Sequence, residues 1–227
     1  MKIPKKGSVK THKSLLTAAS DIFAEKGYWN TTIAEICKRA GANIAAVNYH
    51  FGDKETLYQK AWRHSFRESI KAHPPDGDVD DNAPPEERLQ GQVAALLHRI
   101  ADKNNKEFLF VQKEFANPTG ILEEVMQKEI HPLHERMRAV IRELLGPHIP
   151  DMRIQFCEIS IISQCLNPLV VRREQTENRG SKKDRPEIED IEAYAVHVVK
   201  FSLGGIDVIR REGQERGKRI SRVAGQR

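Results

Sequence analysis

Between Thr31 and Lys54 the chain gathers side chains able to hydrogen-bond a partner, at spacings that set helix N-termini beside them. Thr32 is a good N-cap, with Glu35 three residues on, as a capping box requires. Asn43 can cap a second short helix. In that helix Val47 and Phe51 stand four apart and can pack inward, leaving Asn48, Tyr49 and His50 mostly on other faces with polar atoms open to a partner. Asp53 can cap the next helix and Lys54 falls in its first turn, where a cation beside unpaired N–H groups makes a local anion site. Taken alone, Tyr49 and His50 read better as ordinary surface aromatics.

Helices must hold these groups. Ile33, Ile36, Cys37 and Ala40 fall at i, i+3, i+4 and i+7, one apolar helix face, and Gly41 suits the turn that follows. Upstream, Leu15, Leu16, Ala19, Ile22 and Phe23 mark a helix from Lys10 to Lys26, which Gly27 ends. Downstream, Leu57, Ala61, Trp62 and Phe66 mark a helix from Lys54 to Lys71, broken by His73-Pro74-Pro75-Asp76-Gly77.

The stretch GYWNTTIAEICKRAGANIAAVNYHFGDKETLY resembles the DNA-binding signature of TetR-type transcriptional regulators, over roughly residues 10–60. The likeness lies in Gly27-Tyr28, Thr32, Ala40-Gly41, Tyr49-His50-Phe51, Lys54-Glu55 and Leu57. It implies that Tyr49 and His50 contact phosphates or base edges, that Lys54 contacts a phosphate, and that Thr32 sets a helix N-terminus against the backbone. Ile44, Ala45, Ala46 and Asn48 depart from the family's usual residues there. Since Asn can bond adenine through two hydrogen bonds and an Ala methyl can touch the methyl of thymine, the resemblance then implies direct readout by Asn43, Asn48 and Tyr49, with van der Waals contact from Ala45 or Ala46, and the operator sequence does not follow from them. KEFANPTGILEEVMQKEIHPLH and AAVNYHFGDKE also resemble a CecR-like subgroup. The resemblance implies an all-α fold: a three-helix helix-turn-helix head, a connecting fourth helix, and a helical ligand-binding body that dimerises through its last two long helices. The head is read as residues 1–53, the body as 54–213 with helix 54–72 connecting, and a basic tail as 214–227.

Periodicity supports helices in the body at about 86–103, 108–116, 119–145 (with Pro132 inside), 151–173 and 187–211. The run FCEISIISQCLNPLVV is apolar on more than one face and so should be buried on more than one side. A charged loop is expected over 174–186, a flexible basic arm over 1–9 and a frayed tail from Gly213. Ile159, Ile162 and Leu166 on one helix, with Ile191, Tyr194, Val198, Phe201 and Gly205 on the other, form the expected dimer seam at spacings of three or four. Phe108, Gln112, Phe115 and His134 are weak candidates for contact with a small-molecule effector.

Residues 1–72 hold 13 Lys and Arg against 6 Asp and Glu, whereas residues 73–209 hold 17 against 24. The head thus carries the charge that a phosphate backbone selects, and the body does not. Cys157 and Cys165 lie about 12 Å apart along one helix at 1.5 Å per residue, too far for a disulfide. All three cysteines read as reduced core residues. His131 and His134 share a helix face but lack further ligands, so no metal and no cofactor is expected. No membrane span, no secretory core and no phosphate-loop or nucleophile motif is legible. The chain reads as a cytoplasmic, ligand-responsive regulator and not an enzyme. As a homodimer it would bind a double-stranded operator, in the main as a repressor released by a small molecule. The rival reading is an all-α adaptor or scaffold whose head no longer binds DNA.

Overall fold

The computed structural model describes residues 6–147, 149–177, 188 and 190–224. In chain order the elements are α1 (Lys6–Lys26), α2 (Ile33–Ala40), α3 (Ile44–Phe51), α4 (Lys54–Ala72), α5 (Pro85–Ala101), α6 (Glu107–Ala116), α7 (Glu123–Leu145), α8 (Asp151–Glu177) and α9 (Ile191–Ala224). The fold is all-α, with no strand among the described residues. Residues 1–5 of the expected arm, 178–187 of the charged loop and 225–227 of the tail lie outside the described residues.

Several helix ends differ from the sequence reading: α1 begins at Lys6, so residues 6–9 of the expected flexible arm are helical, and α7 begins at Glu123 and not at 119. α8 runs to Glu177, past the expected loop start at Glu174, and α9 continues through Gly213 to Ala224. A Cβ on Gly213 would sit 2.2 Å from Ile149 Cδ1. This glycine lets the helix pass close to a neighbour, a use that looks like a stop signal in sequence.

The contacts divide the chain into two units, one holding residues up to Ala72 with Asp102–His131, the other His73–Ala101 with the chain from Pro132. In the first, α1 packs on α2, α4 and α6. Its core joins Leu15, Ile22 and Phe23 of α1 to Ile36, Val47, Phe51, Leu57 and Trp62, all buried. Tyr58 and Phe110 complete it: ring centroids lie 4.8 Å apart for Phe23–Tyr58 and 5.4 Å for Tyr58–Phe110. Aromatic pairs at such separations add about 0.5–1.5 kcal/mol beyond their burial. The Tyr58 hydroxyl donates to Glu114 Oε1 at 2.7 Å, so its polar end is satisfied inside the unit.

In the second unit α5 packs on α8 and α9. Leu89, Val93 and Leu97 meet a core that includes Ile141, Ile154, Ile161, Cys165, Val198 and Ile206. The loop after α4 lies tight on α5, because Gly77 (φ +63) and Gly91 have no side chains between them. A Cβ on Gly91 would fall 2.3 Å from the Asp76 carbonyl oxygen. Glycine inside a helix costs about 1 kcal/mol relative to alanine, and this close approach is what it allows.

Three expectations about the body change. Over the described side chains up to Leu166, α8 is buried on one side: Ile154, Cys157, Ile161 and Cys165 are covered, while Met152, Phe156 and Ile159 are more than half exposed. Val198, expected in a dimer seam, is fully buried against its own chain and cannot also face a partner. Its position belongs to the stripe that covers α5, because the apolar surface of α9 is wide enough to hold two stripes. Of the other seam residues, Phe201 is 67% exposed, Gly205 is exposed, and Ile162, Leu166, Ile191 and Tyr194 are half-buried. His134 is held by a hydrogen bond: its Nδ1 lies 2.6 Å from Oε1 of Glu158, a carboxylate that is itself buried. Arg138 Nε meets the other oxygen at 2.6 Å.

Candidate nucleic-acid interface

Three short-range caps build the site. The Thr32 hydroxyl accepts the Glu35 N–H at 3.2 Å and starts α2. The Glu35 carboxylate accepts from Lys26 at the end of α1. Gly41 (φ 63, ψ 37) closes α2 in the left-handed region, with Ala42 N–H bonded to Cys37 O at 3.0 Å, the turn geometry that favours glycine. Asn43 Oδ1 accepts the Ala46 N–H at 2.9 Å and starts α3. Asp53 Oδ1 accepts the Thr56 N–H at 2.7 Å and starts α4, and these bonds hold the Asp53 carboxyl below its ordinary value.

Capping commits one group that the sequence offered for readout. The Asn43 oxygen already accepts from its own helix, which leaves one lone pair and the amide N–H groups for a partner and ties the side chain to the start of α3. Asn48 carries no such bond and is exposed on α3 beside Ala45, Ile44 and Tyr49, the last 80% exposed. Val47 and Phe51 turn the other way into the core, so α3 is oriented with its polar and small residues outward. Ala46 is half-buried next to that core.

His50 is half-buried in a chain of rings, 4.9 Å from Tyr49 and 5.5 Å from His12 of α1, centroid to centroid. His12 also stacks on Phe51 at 4.7 Å. Nothing in the periodicity of α1 singles out His12, because ring stacking between helices leaves no mark in a single sequence.

Lys54 occupies the first turn of α4, as read, but its ammonium lies 4.2 Å over the Tyr28 ring and burial pushes its pKa down. Other head cations are already paired, Arg39 with Glu25 at 2.9 Å and Lys26 with Glu35, so they tie α2 to α1. The exposed face of α3 offers an amide, a phenol and small side chains, and α2 and α4 each start at a capped N-terminus, groups of the kinds that grip a phosphate backbone and touch base edges.

The residues offered for an effector are not brought together in one unit: Phe108, Gln112 and Phe115 stand on α6 in the first and His134 in the second. Phe115 is 84% exposed. One cavity of about 190 Å³ lies in the first unit against Tyr28, Trp29, Tyr58 and Lys113, and one of about 170 Å³ in the second against Arg88, Gln92 and Arg136. None of the four residues lines either one. Among the described residues no group of three or more His, Cys, Asp or Glu could hold a metal.

Residues 15–61 match the bacterial regulatory proteins of the tetR family, and residues 85–206 match the C-terminal domain of the HTH-type transcriptional dual regulator CecR. The CecR protein of Shigella flexneri is 30% identical over 164 residues, which span 68% of this chain and 73% of that protein. The HTH-type transcriptional repressor KstR2 of Mycobacterium tuberculosis is 36% identical over 86 residues, 38% of this chain and 42% of that protein. A solved structure of a transcriptional regulator from Rhodococcus sp. Rha1 shares the fold, with TM-score 0.59 at 20% identity over 86% of this chain and 95% of that one. With both its N-terminal and its C-terminal parts matched, the chain belongs to the tetR family of bacterial transcriptional regulators, in the branch with a CecR-type C-terminal domain.

Proposed function

We propose that this regulator binds operator DNA as a homodimer and releases or re-sets it when a small molecule binds the body. The observation that carries the reading is the outward face of α3: Ala45, Asn48 and Tyr49 exposed together, on an element whose opposite face is locked into the core. Base contacts then come from Asn48, Tyr49 and Ala45, and backbone contacts from His50, Lys54 and the N-termini capped by Thr32 and Asn43. One such helix reads too few base pairs to be selective. Two copies reading half-sites about one helical turn apart, roughly 34–36 Å, combine their contacts.

The seam that joins the copies runs along the exposed stripes of the last two helices. On α8 these residues are Phe156 and Ile159; on α9 they are Phe201, Gly205 and Val208, each exposed in the single chain. The effector acts through differential affinity for two arrangements of the body, and Phe108 and Gln112 of α6 are its candidate contacts. Repression is the default output, in keeping with KstR2, and the name of CecR as a dual regulator leaves room for activation at other sites. The site of action is the cytoplasm; among the described residues no helix is long and apolar enough to cross a membrane.

The test is a mobility shift of the full chain on the region upstream of its own coding sequence, at several salt concentrations, against an unrelated duplex. Specific binding with a steep salt slope is the expected result. Failure to bind either duplex would favour an adaptor role instead.

A further inference from the structure

His12 lies outside the stretch that the helix-turn-helix reading uses, yet it touches the end of α3. Its ring stacks on Phe51, centroids 4.7 Å apart and planes 24° from parallel, and meets His50 edge-on at 5.5 Å. Lys60 Nζ of α4 also stands 5.4 Å from the Phe51 centroid. Three basic side chains from three helices thus surround one buried phenyl ring at the end of α3.

The charges around His12 are of one sign. α3 presents His50 and α4 presents Lys60; α1 itself carries Lys10 and Lys13 nearby in sequence. Elsewhere along α1 the carboxylates are engaged: Glu25 with Arg39, Asp21 with Lys106, and Glu35 of α2 with Lys26. Burial holds the His12 pKa below its ordinary value, and the charges of His50 and Lys60 lower it further. With no DNA present, a proton on His12 is therefore disfavoured near neutral pH.

We propose that His12 is a positioning residue for α3 and that its imidazole takes up a proton when the head binds a phosphate backbone, so that DNA affinity rises as the medium turns acid. The proposal rests on the reading that α3 and His50 face DNA. A phosphate at His50 and Lys60 supplies the missing negative charge and offsets the repulsion that keeps His12 neutral. The sign follows from linkage. If the complex holds more protons than the free protein, affinity increases as pH falls from about 8 through the ordinary histidine range, then levels off once the free protein is itself protonated. The ring stack on Phe51 is the route by which the charge on His12 reaches α3. His12 itself need not touch the duplex.

The experiment uses the full chain and a random-sequence 30-base-pair duplex at fixed ionic strength, with affinity measured by fluorescence anisotropy at pH 6, 7 and 8. Wild-type affinity should be about fivefold higher at pH 6 than at pH 8, within the tenfold-per-unit limit for one proton. His12→Phe keeps the stack and removes the proton, and should flatten the profile near the wild-type value at pH 8. Ring-proton NMR should show the His12 titration moving to higher pH when the duplex is saturating. Equal slopes in wild type and His12→Phe, or a His12 titration unmoved by DNA, would overturn this proposal alone. A wild-type chain that binds no duplex at any pH would overturn the DNA reading and this proposal together.

Discussion

The Lys54 ammonium stands 4.2 Å above the centre of the Tyr28 ring, where the residue that opens α4 meets the second residue past the end of α1. A cation so placed gains about 0.5–1 kcal/mol at a partly exposed site. It is also partly desolvated, so a phosphate arriving at the start of α4 recovers a cation already stripped of some water. Lys54→Ala should weaken binding to every duplex and reduce the magnitude of the log–log salt slope by about 0.9, the amount expected for one phosphate contact. An unchanged slope would remove Lys54 from the list of backbone contacts.

Asn48 is predicted to read a base. Asn48→Ala should cost about 1–3 kcal/mol on the operator and far less on random DNA. Parallel titrations on the two duplexes decide it, since equal losses would make Asn48 a positioning residue. Asn43→Ala should behave differently, lowering stability by about 1 kcal/mol through loss of a cap, with thermal melting as the measurement.

Assembly is tested at exposed positions. Phe201→Glu combined with Val208→Glu should leave the circular dichroism of the chain intact, halve its mass in light scattering and abolish selectivity for the operator. A double variant that stays dimeric would rule out this stripe as the seam. Val198→Ala serves as the contrast: it should destabilise the fold by about 2 kcal/mol through lost packing without changing the subunit count at a temperature where the chain is folded.

Glu158 holds α8 to α7 through His134 and Arg138 and is almost wholly buried. The partners His134 and Arg138 stay 36% and 27% exposed, so the cost is that of the lost bonds to charged groups, about 1.5–3 kcal/mol. Glu158→Gln should therefore lower the urea midpoint strongly with little change in slope. A loss below about 1 kcal/mol would mean that water reaches Arg138 and His134 readily.

His12 also makes a prediction about stability, apart from DNA. Its folded-state pKa is depressed, so the unfolded chain binds the proton more readily. The contribution is complete above the ordinary value near 6.5, is lost as pH falls below it, and stops changing once the folded state is protonated too. His12→Phe should reduce the loss of stability between pH 7 and pH 5, as followed by urea denaturation.

Most of the helical plan was legible in the sequence, because it depends on local rules. The periodic apolar residues of α1, α2 and α4, the caps at Thr32, Asn43 and Asp53, and the glycine at position 41 each act within four residues of chain. The exposed face of α3 was legible for the same reason: once Val47 and Phe51 turn inward, helix geometry alone turns Asn48 outward. Long-range pairings were not. That Lys54 rests on Tyr28, that His12 stacks on Phe51, that Glu158 is the buried partner of His134, and that Val198 faces α5 and its neighbours where a second chain was expected all depend on which helices meet. The reason is physical. A stripe broad enough to cover two surfaces does not say which half meets its own chain, and a ring or a carboxylate chooses its partner only when another helix brings one within reach. Gly91 and Gly213 make the same point from the other side: each resembles a flaw in its helix until the neighbouring Asp76 carbonyl or Ile149 side chain is seen lying where a Cβ would go.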